Sequence, residues 1–471
     1  LLALIVSVCL IGADSAEAAP GDLDPTFGGG DGWVLTDLGG EDIELDVAVD
    51  SAGRIVLVGG RETGAGESEA AVVRYTAAGD PDPSFGGGDG IVPFRFGTGT
   101  RDSAPAVAIN GSNRIVVAGN YGEPPCPSFC NTAVVRLTES GQFDSTFAGD
   151  GKATAPYALV GDVAIDGAGR IVVGGEFATF RFTEAGLPDP TFSGDGTTTE
   201  GAGAWGMAFD GAGRIVTVSE FAAVSRLLPN GQLDSSFGDE GEPVGIDVEP
   251  GSTDFADAMA VDASDRILAA GISEPAGGGE PRSFVARLTE AGALDPTFAG
   301  DGIVLGEPGS WASSIAVDEA GRLLIVAFLP SAGGSALVRY LPDGSLDPSF
   351  GGGDGIVAIP FVAGRDVTTD LADRIVVGGS AFRPDETDLD FAAARFLDTG
   401  TPSPPPSPPP PPAAENPPAT AAAPMIAPPA AGFTRPAKPR KCRKGFRRKQ
   451  VHGKSKCVKV KRRSRHRGVA K

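Results

Sequence analysis

Apolar and polar residues alternate along most of the chain in short runs, separated by Gly, Asp, Asn and Pro. Residues 314–357 show the pattern plainly. Ser314-Ile315-Ala316-Val317-Asp318 alternates and ends in the turn Glu319-Ala320-Gly321. Arg322-Leu323-Leu324-Ile325-Val326 is a continuous apolar run, and Ala336-Leu337-Val338-Arg339-Tyr340 is another. After Pro342-Asp343-Gly344 comes Leu346-Asp347-Pro348-Ser349-Phe350, continuing through Gly355-Ile356-Val357. Runs of this length bounded by turn residues read as four short strands, the last expected to include the Leu-Asp-Pro string.

The unit recurs seven times. Leu23-Asp24-Pro25-Thr26-Phe27-Gly28 returns around Phe85, Phe147, Phe192, Phe237, Phe298 and Phe350. A turn followed by Arg-Ile-Val-Val-Gly-Gly, with variations, returns at Arg54, Arg114, Arg170, Arg214, Arg266, Arg322 and Arg374. An apolar run ending in Arg returns at Arg74, Arg136, Arg181, Arg226, Arg287, Arg339 and Arg395. Repeats of this length build propellers, solenoids or arrays. The order of the markers selects among them. The repeat region begins with a fourth strand, 23–38, and ends on a third, 392–397, with six complete units between. The orphan strand can complete the last unit and close a ring, which removes an exposed edge. The expected fold is all-β: a seven-bladed β-propeller closed by its N-terminal outer strand.

In these strings the chain resembles the delta-60 repeat, a bacterial β-propeller repeat, over essentially all of residues 22–399. The Ala-Val-Asp…Gly-Arg-Ile portion is also similar to NHL blades. The fourth repeat departs at Asp234-Ser235-Ser236, and the seventh has Thr368-Thr369-Asp370 for the inner-strand core. The resemblance implies the propeller fold and brings no catalytic residues.

The rest of the chain divides by composition. Leu1 to Ile11 is apolar and Ala16-Glu17-Ala18 resembles a cleavage site, so residues 1–18 read as a secretory signal. Cys9 raises a lipid anchor as the lesser reading. Residues 400–434 form a Pro- and Ala-rich linker, expected to be an extended spacer that buries too little to fold. Residues 435–471 hold 18 of the 39 Lys and Arg and no acid, leaving 21 basic residues against 61 acidic ones elsewhere. An acidic body repels nucleic acid and anionic membranes, whereas the tail attracts anionic polymers. Arg443, Lys444, Arg447, Arg448, Lys449, Lys454, Lys456 and Lys459 are the expected envelope-binding residues. Nucleic acid is not expected as a partner. No transmembrane segment remains after signal cleavage, and a secreted or cell-surface monomer is expected.

Candidate chemistry is sparse. Both histidines, His452 and His466, lie in the tail, and no catalytic motif is recognised. Cys126–Cys130 and Cys442–Cys457 are expected to be disulfides in an oxidising compartment; zinc binding by the tail Cys and His is the lesser reading. Asp50, Asn110, Asp166, Asp210, Asp262, Asp318 and Asp370 end the first strands, where each should cap its own turn rather than bind metal. No cofactor is expected. The Gly-Gly-Gly-Asp-Gly strings at Gly28, Gly86 and Gly351 are weak calcium candidates. The turns after first and third strands are tight and uniform, whereas the loops after second and fourth strands vary. Function usually sits on variable loops of a rigid scaffold. The sequence therefore reads as a non-catalytic, envelope-associated binding protein presenting a variable-loop face to a protein or glycan. The alternative is an extracellular enzyme acting on polysaccharide through loop carboxylates.

Overall fold

The computed structural model describes residues 18–399, except for residues 65, 123–130, 157, 202 and 384–387, and two tail strands, Phe446–Val451 and Lys454–Lys459. Seven four-stranded antiparallel sheets form the blades of a β-propeller. Blade 1 is typical: Asp42–Val49, Ile55–Gly64, Glu67–Tyr75 and Ile91–Phe94, counted from the axis outward. Blade 7 takes three strands from 363–396 and its outer strand, Trp33–Thr36, from the other end of the propeller. Trp33 pairs with Ala394 and Thr36 with Phe391, which closes the ring. The seventh inner strand, Ala363–Thr369, pairs with its neighbour despite its two threonines. The tail strands pair as an antiparallel hairpin, with Cys457 opposite Arg448.

Second strands are buried on both faces, and their β-branched residues suit that place. Inner strands carry a register shift near their loop end, at residue 45 in blade 1 and its counterparts in blades 2, 3, 5, 6 and 7. That bulge brings a carbonyl close to the second strand and explains a recurrent glycine. A Cβ on Gly59, Gly119, Gly271 or Gly379 would stand only 2.0–2.1 Å from a first-strand carbonyl oxygen.

The Leu-Asp-Pro-Thr-Phe string is not part of the fourth strand, contrary to the sequence reading. Its first residue makes a single bridge, Leu23 with Phe396 for example, and regular pairing begins only after the glycines. Pro lacks an N–H for a ladder. The string instead surrounds a buried arginine. In blade 1, Arg74 Nε donates to Asp82 (2.8 Å), Nη2 to Ser84 Oγ (3.1 Å) and Nη1 to the Glu139 carbonyl of the next blade (2.6 Å). The guanidinium lies 4.3 Å above the Phe85 ring, whose other neighbours include the turn glycine Gly141 of that next blade. The same set recurs at Arg136, Arg181, Arg226, Arg287, Arg339 and Arg395. The arginine therefore orders its own turn and pins it to the neighbouring blade. At Asp24, burial raises the carboxyl pKa, but hydrogen bonds from Thr26 and the charges of Arg395 and Arg374 outweigh it and leave the group below its ordinary value.

Candidate functional site

The seven turn residues recurring at the ends of first strands are engaged with their own turns. Asp50 Oδ1 accepts from the backbone of Ala52 (2.9 Å) and Arg54 (3.0 Å), while Oδ2 receives Arg54 Nε (2.6 Å). Asp166, Asp210, Asp262, Asp318 and Asp370 repeat this arrangement. Asn110 makes the two backbone contacts but has no second carboxylate oxygen, and Arg114 turns to Asp144 at 3.2 Å. Asp318, Asp373 and Asp398 bring carboxylate oxygens within 4.8 Å of one another, but Arg322 pairs with all three. In the glycine strings, Asp89 and Asp354 accept from the backbone two residues ahead at 3.0 Å. Gly86 has φ +65°, and a Cβ there would meet the Ile91 carbonyl at 2.0 Å, so a turn requirement accounts for that glycine. Cys126, Cys130, Cys442, Arg443 and Lys444 lie outside the described residues. Arg447, Arg448, Lys449, Lys454, Lys456, Cys457 and Lys459 lie on the hairpin.

The opposite face is irregular. Phe177 and Phe221 project from short turns of blades 3 and 4, at 58% and 67% exposure. Phe221 lies 5.7 Å from Phe255 of blade 5. In blade 6, Trp311 stacks on Phe328 at 4.2 Å with the rings nearly parallel (5°), leaving the indole 44% exposed. Phe382 adds a further exposed ring on blade 7. Between blades 1 and 2 a groove of about 570 Å³ has Ile43, Leu45 and Gly60 on its walls, with Arg61, Arg101 and Asp102 among its charged residues. Burial raises Asp102 to about 6 despite the opposing charge of Arg95.

Inner strands carry further carboxylates. Asp46 accepts from Val107 N (2.6 Å), Asp162 from Met207 N (2.8 Å) and Asp366 from Val47 N (3.2 Å), each reaching the next blade. Ser314 donates to Asp366 (2.5 Å) and accepts from Val367 N (3.2 Å). Burial, with the neighbouring Asp366, holds Asp46 well above the ordinary carboxyl range; burial raises Asp162 to about 7. These side chains bind blade to blade.

The junction of blades 7 and 1 gathers several carboxylates. Asp37, Asp42 and Asp390 bring oxygens within 4.8 Å, and Arg383 reaches Asp390 at 2.5 Å and Asp37 at 3.0 Å. Burial pushes Asp42 up to about 7, overcoming the hydrogen bond from Leu38 N, with Asp390 and Asp37 adding to the rise. Glu44 is fully buried, and neither carboxylate oxygen has a partner among the described residues; burial, then Asp366, raises it well above its ordinary value. It fits beside Gly378, where a Cβ would come 2.4 Å from Glu44 Oε1. Sequence reading passed over both positions. The signal was a Glu where aligned inner strands carry Ala104, Ala204, Ala256 and Ala312.

Residues 53–85, 213–237, 263–298 and 331–350 match a family model described as a domain of unknown function (DUF5122) beta-propeller. No curated protein matches the chain. Similar solved structures include the extracellular domain of BT4673 from B. thetaiotaomicron, at 12% identity and TM-score 0.46. That match covers 77% of this chain but only 40% of the other, so the chain spans about two fifths of that relative's length. The WD40 beta propeller domain of Doa1 is similar at 11% identity and TM-score 0.43, over 77% of this chain and 97% of that one. YCF48 from Cyanidioschyzon merolae is similar at 13% and 0.42, over 77% and 98%. No described helix is long and apolar enough to cross a membrane. The repeated sequence matches and the closed ring of seven four-stranded sheets identify this chain as a propeller-repeat protein.

Proposed function

We propose that the chain is a secreted, non-catalytic binding protein that presents its variable-loop face to a glycan or protein and is retained on an anionic envelope polymer by residues 435–471. The observation that carries this reading is the placement of the propeller's two ends. Gly21 N donates to Leu397 O (2.8 Å) and Leu397 N to Asp22 O (2.9 Å), so both ends lie on the tight-turn face. The opposite face of the propeller carries the exposed aromatic rings. Flat rings offer apolar contact to sugar faces or peptide side chains, and carboxylates among them supply polar contacts. The tail's 18 basic residues supply attraction to an anionic polymer, screened by salt.

Two measurements test the two halves. The full chain on glycan and protein arrays should give a ligand whose signal falls at least tenfold in Trp311→Ala or Phe221→Ala. Equal signal from both variants and the wild type counts against the loop face. Removing residues 435–471 should move the protein from the cell-wall fraction to the medium, and added salt should do the same to the full chain. Identical fractionation with and without the tail, at low and high salt, rejects retention. The enzymatic alternative draws on Asp102, raised to about 6 in the groove. Glycan cleavage that disappears in Asp102→Asn would favour it.

A further inference from the structure

The ends of the fourth strands close the crevices between blades, and they differ from blade to blade. Blade 1 ends Phe94-Arg95-Phe96 and blade 6 ends Ile359-Pro360-Phe361; Phe94, Phe96, Ile359 and Phe361 are buried. Phe94 packs edge-on against Phe96 at 5.1 Å and Phe143 of blade 2 at 6.1 Å. In blade 5 the corresponding positions are Gly306 and Pro308. Gly306 stands beside Ser283, the counterpart of Ala70 that pairs with Phe94. Blade 6 still presents its share of the contact: Leu346, the counterpart of Phe143, and Tyr340, the counterpart of Tyr75. The result is a crevice of about 230 Å³ between blades 5 and 6, walled chiefly by aliphatic side chains, with Phe284, Tyr340 and Leu346 among its lining.

Its polar groups follow the same comparison. At the closure of the ring, Tyr75 Oη bonds to Thr36 Oγ1 (2.5 Å) on the fourth strand of blade 7. The position of Thr36 in blade 5 is Gly306, which has no hydroxyl to offer, and the Tyr340 hydroxyl has no hydrogen-bond partner among the described residues. At the loop end, Glu307 Oε1 accepts from Ser331 N (2.7 Å) and so joins the two blades across the crevice. Ser283 and Ser310 share a hydrogen bond of 2.9 Å nearby.

We propose that this crevice binds a small, mainly apolar molecule carrying one hydrogen-bonding oxygen, with the Tyr340 hydroxyl as its polar contact. The occupant is the size of a ring or acyl chain of roughly six to eight carbons, since an apolar cavity of about 150 Å³ accommodates benzene. A carbonyl or hydroxyl on it would take the place that Thr36 fills for Tyr75. Burial already raises the Tyr340 phenol to about 12, so it acts as a neutral donor. The site shares no residue with the exposed aromatic rings Phe177, Phe221, Trp311 and Phe382.

Cyclohexanone and benzene, titrated separately into the full chain by saturation-transfer NMR, are the probes. The wild type should bind both saturably. The paired change Ser283→Ala with Gly306→Phe removes the hydroxyl that a Cβ at 306 would meet first and fills the crevice with a ring, so it should abolish both signals. Leu346→Phe, a milder filling, should weaken both. Tyr340→Phe should leave benzene binding intact and weaken cyclohexanone about three- to tenfold, as expected for one lost hydrogen bond. Failure of the wild type to saturate with either probe overturns the site, as does equal binding by folded filled variants. If Tyr340→Phe affects both probes alike, or neither, the phenol is not the polar contact.

Discussion

At the tight-turn end of the propeller one arrangement occurs seven times: a buried arginine, an aspartate, a hydroxyl and a phenylalanine, pinned to the next blade's carbonyl. At the loop end the blades disagree. Phe94 and Phe96 close one crevice, Gly306 and Pro308 leave another open, and Glu44 stands where four other blades have alanine. The difference separates two demands on one repeat. Contacts that register each blade on the next recur in every copy, and together their steps must sum to one full turn for the ring to close. Contacts at the other end need only cover the inner strands, so each blade can depart alone.

The strongest way to break the comparison is to remove one arginine set at the closure. Asp24 meets Arg395 at 2.8 Å and Arg374 at 3.2 Å, all three being largely buried. Asp24→Ala leaves two cations without this carboxylate, and losing one partner of a buried pair costs roughly 3–5 kcal/mol. Asp82→Ala makes the same cut inside a continuous blade. Both should unfold at lower denaturant than wild type, and only Asp24→Ala should also free the N-terminal strand. Deleting residues 22–38 should be more severe, because it exposes the edge of Leu389–Phe396. A deletion that remains monomeric and melts at the wild-type temperature would show that the closing strand is dispensable.

The regular half of each blade was largely legible in the sequence. Strand periodicity and marker order lead to seven blades and to closure by a strand placed at 23–38, of which the structure pairs only Trp33–Thr36. The arginine set was only half legible. Asp82 lies eight residues after Arg74, so the pair is visible, but the carbonyl of Glu139 is 65 residues away and requires the packed ring. The loop end was barely legible. That Gly306 and Leu346 line one crevice depends on the register of one blade against the next, not on any local pattern. The structure also reassigns the Leu-Asp-Pro string, whose periodicity looked like a strand, because its aspartate caps the following turn, at Thr26 N (2.8 Å) in the first copy.

The two ends also differ in their response to pH, which sharpens the comparison at intermediate cost. In the arginine sets, carboxyls such as Asp82 and Asp144 lie below their ordinary value of 3.8: burial opposes this, but Ser or Thr hydrogen bonds and arginine charge prevail. Their contribution is present above the unfolded value and is lost as pH falls through the folded one. Asp42 and Asp162 are raised from 3.8 to about 7, so they hold protons more tightly when folded. Their effect has the opposite sign: stability declines from about pH 4 to about pH 7 and then levels. Thermal stability should therefore peak on the acid side, near pH 4–5. Asp42 Oδ1 is buried without a partner among the described residues, a condition that costs about 1–3 kcal/mol. Asp42→Asn should raise the melting temperature at pH 7–8 and flatten the decline. An unchanged pH profile in Asp42→Asn would separate that group from the effect.

The smallest expected effect on stability is also the most useful for function. Trp311 stacks on Phe328, yet its indole is substantially exposed, and the residue begins an inner strand rather than locking one blade to the next. Surface substitutions away from caps and buried networks usually change stability by no more than about 0.5 kcal/mol. Losing the stacked contact adds about 0.5–1.5 kcal/mol at most. Trp311→Ala should therefore melt close to wild type, in contrast with Asp24→Ala, while removing a flat surface of the kind a ligand would use. Denaturant titration of both variants, alongside array binding, tests the division directly. If Trp311→Ala destabilises the ring as strongly as Asp24→Ala, the irregular end carries structural load as well, and its departures from the repeat cannot be read as freedom for binding.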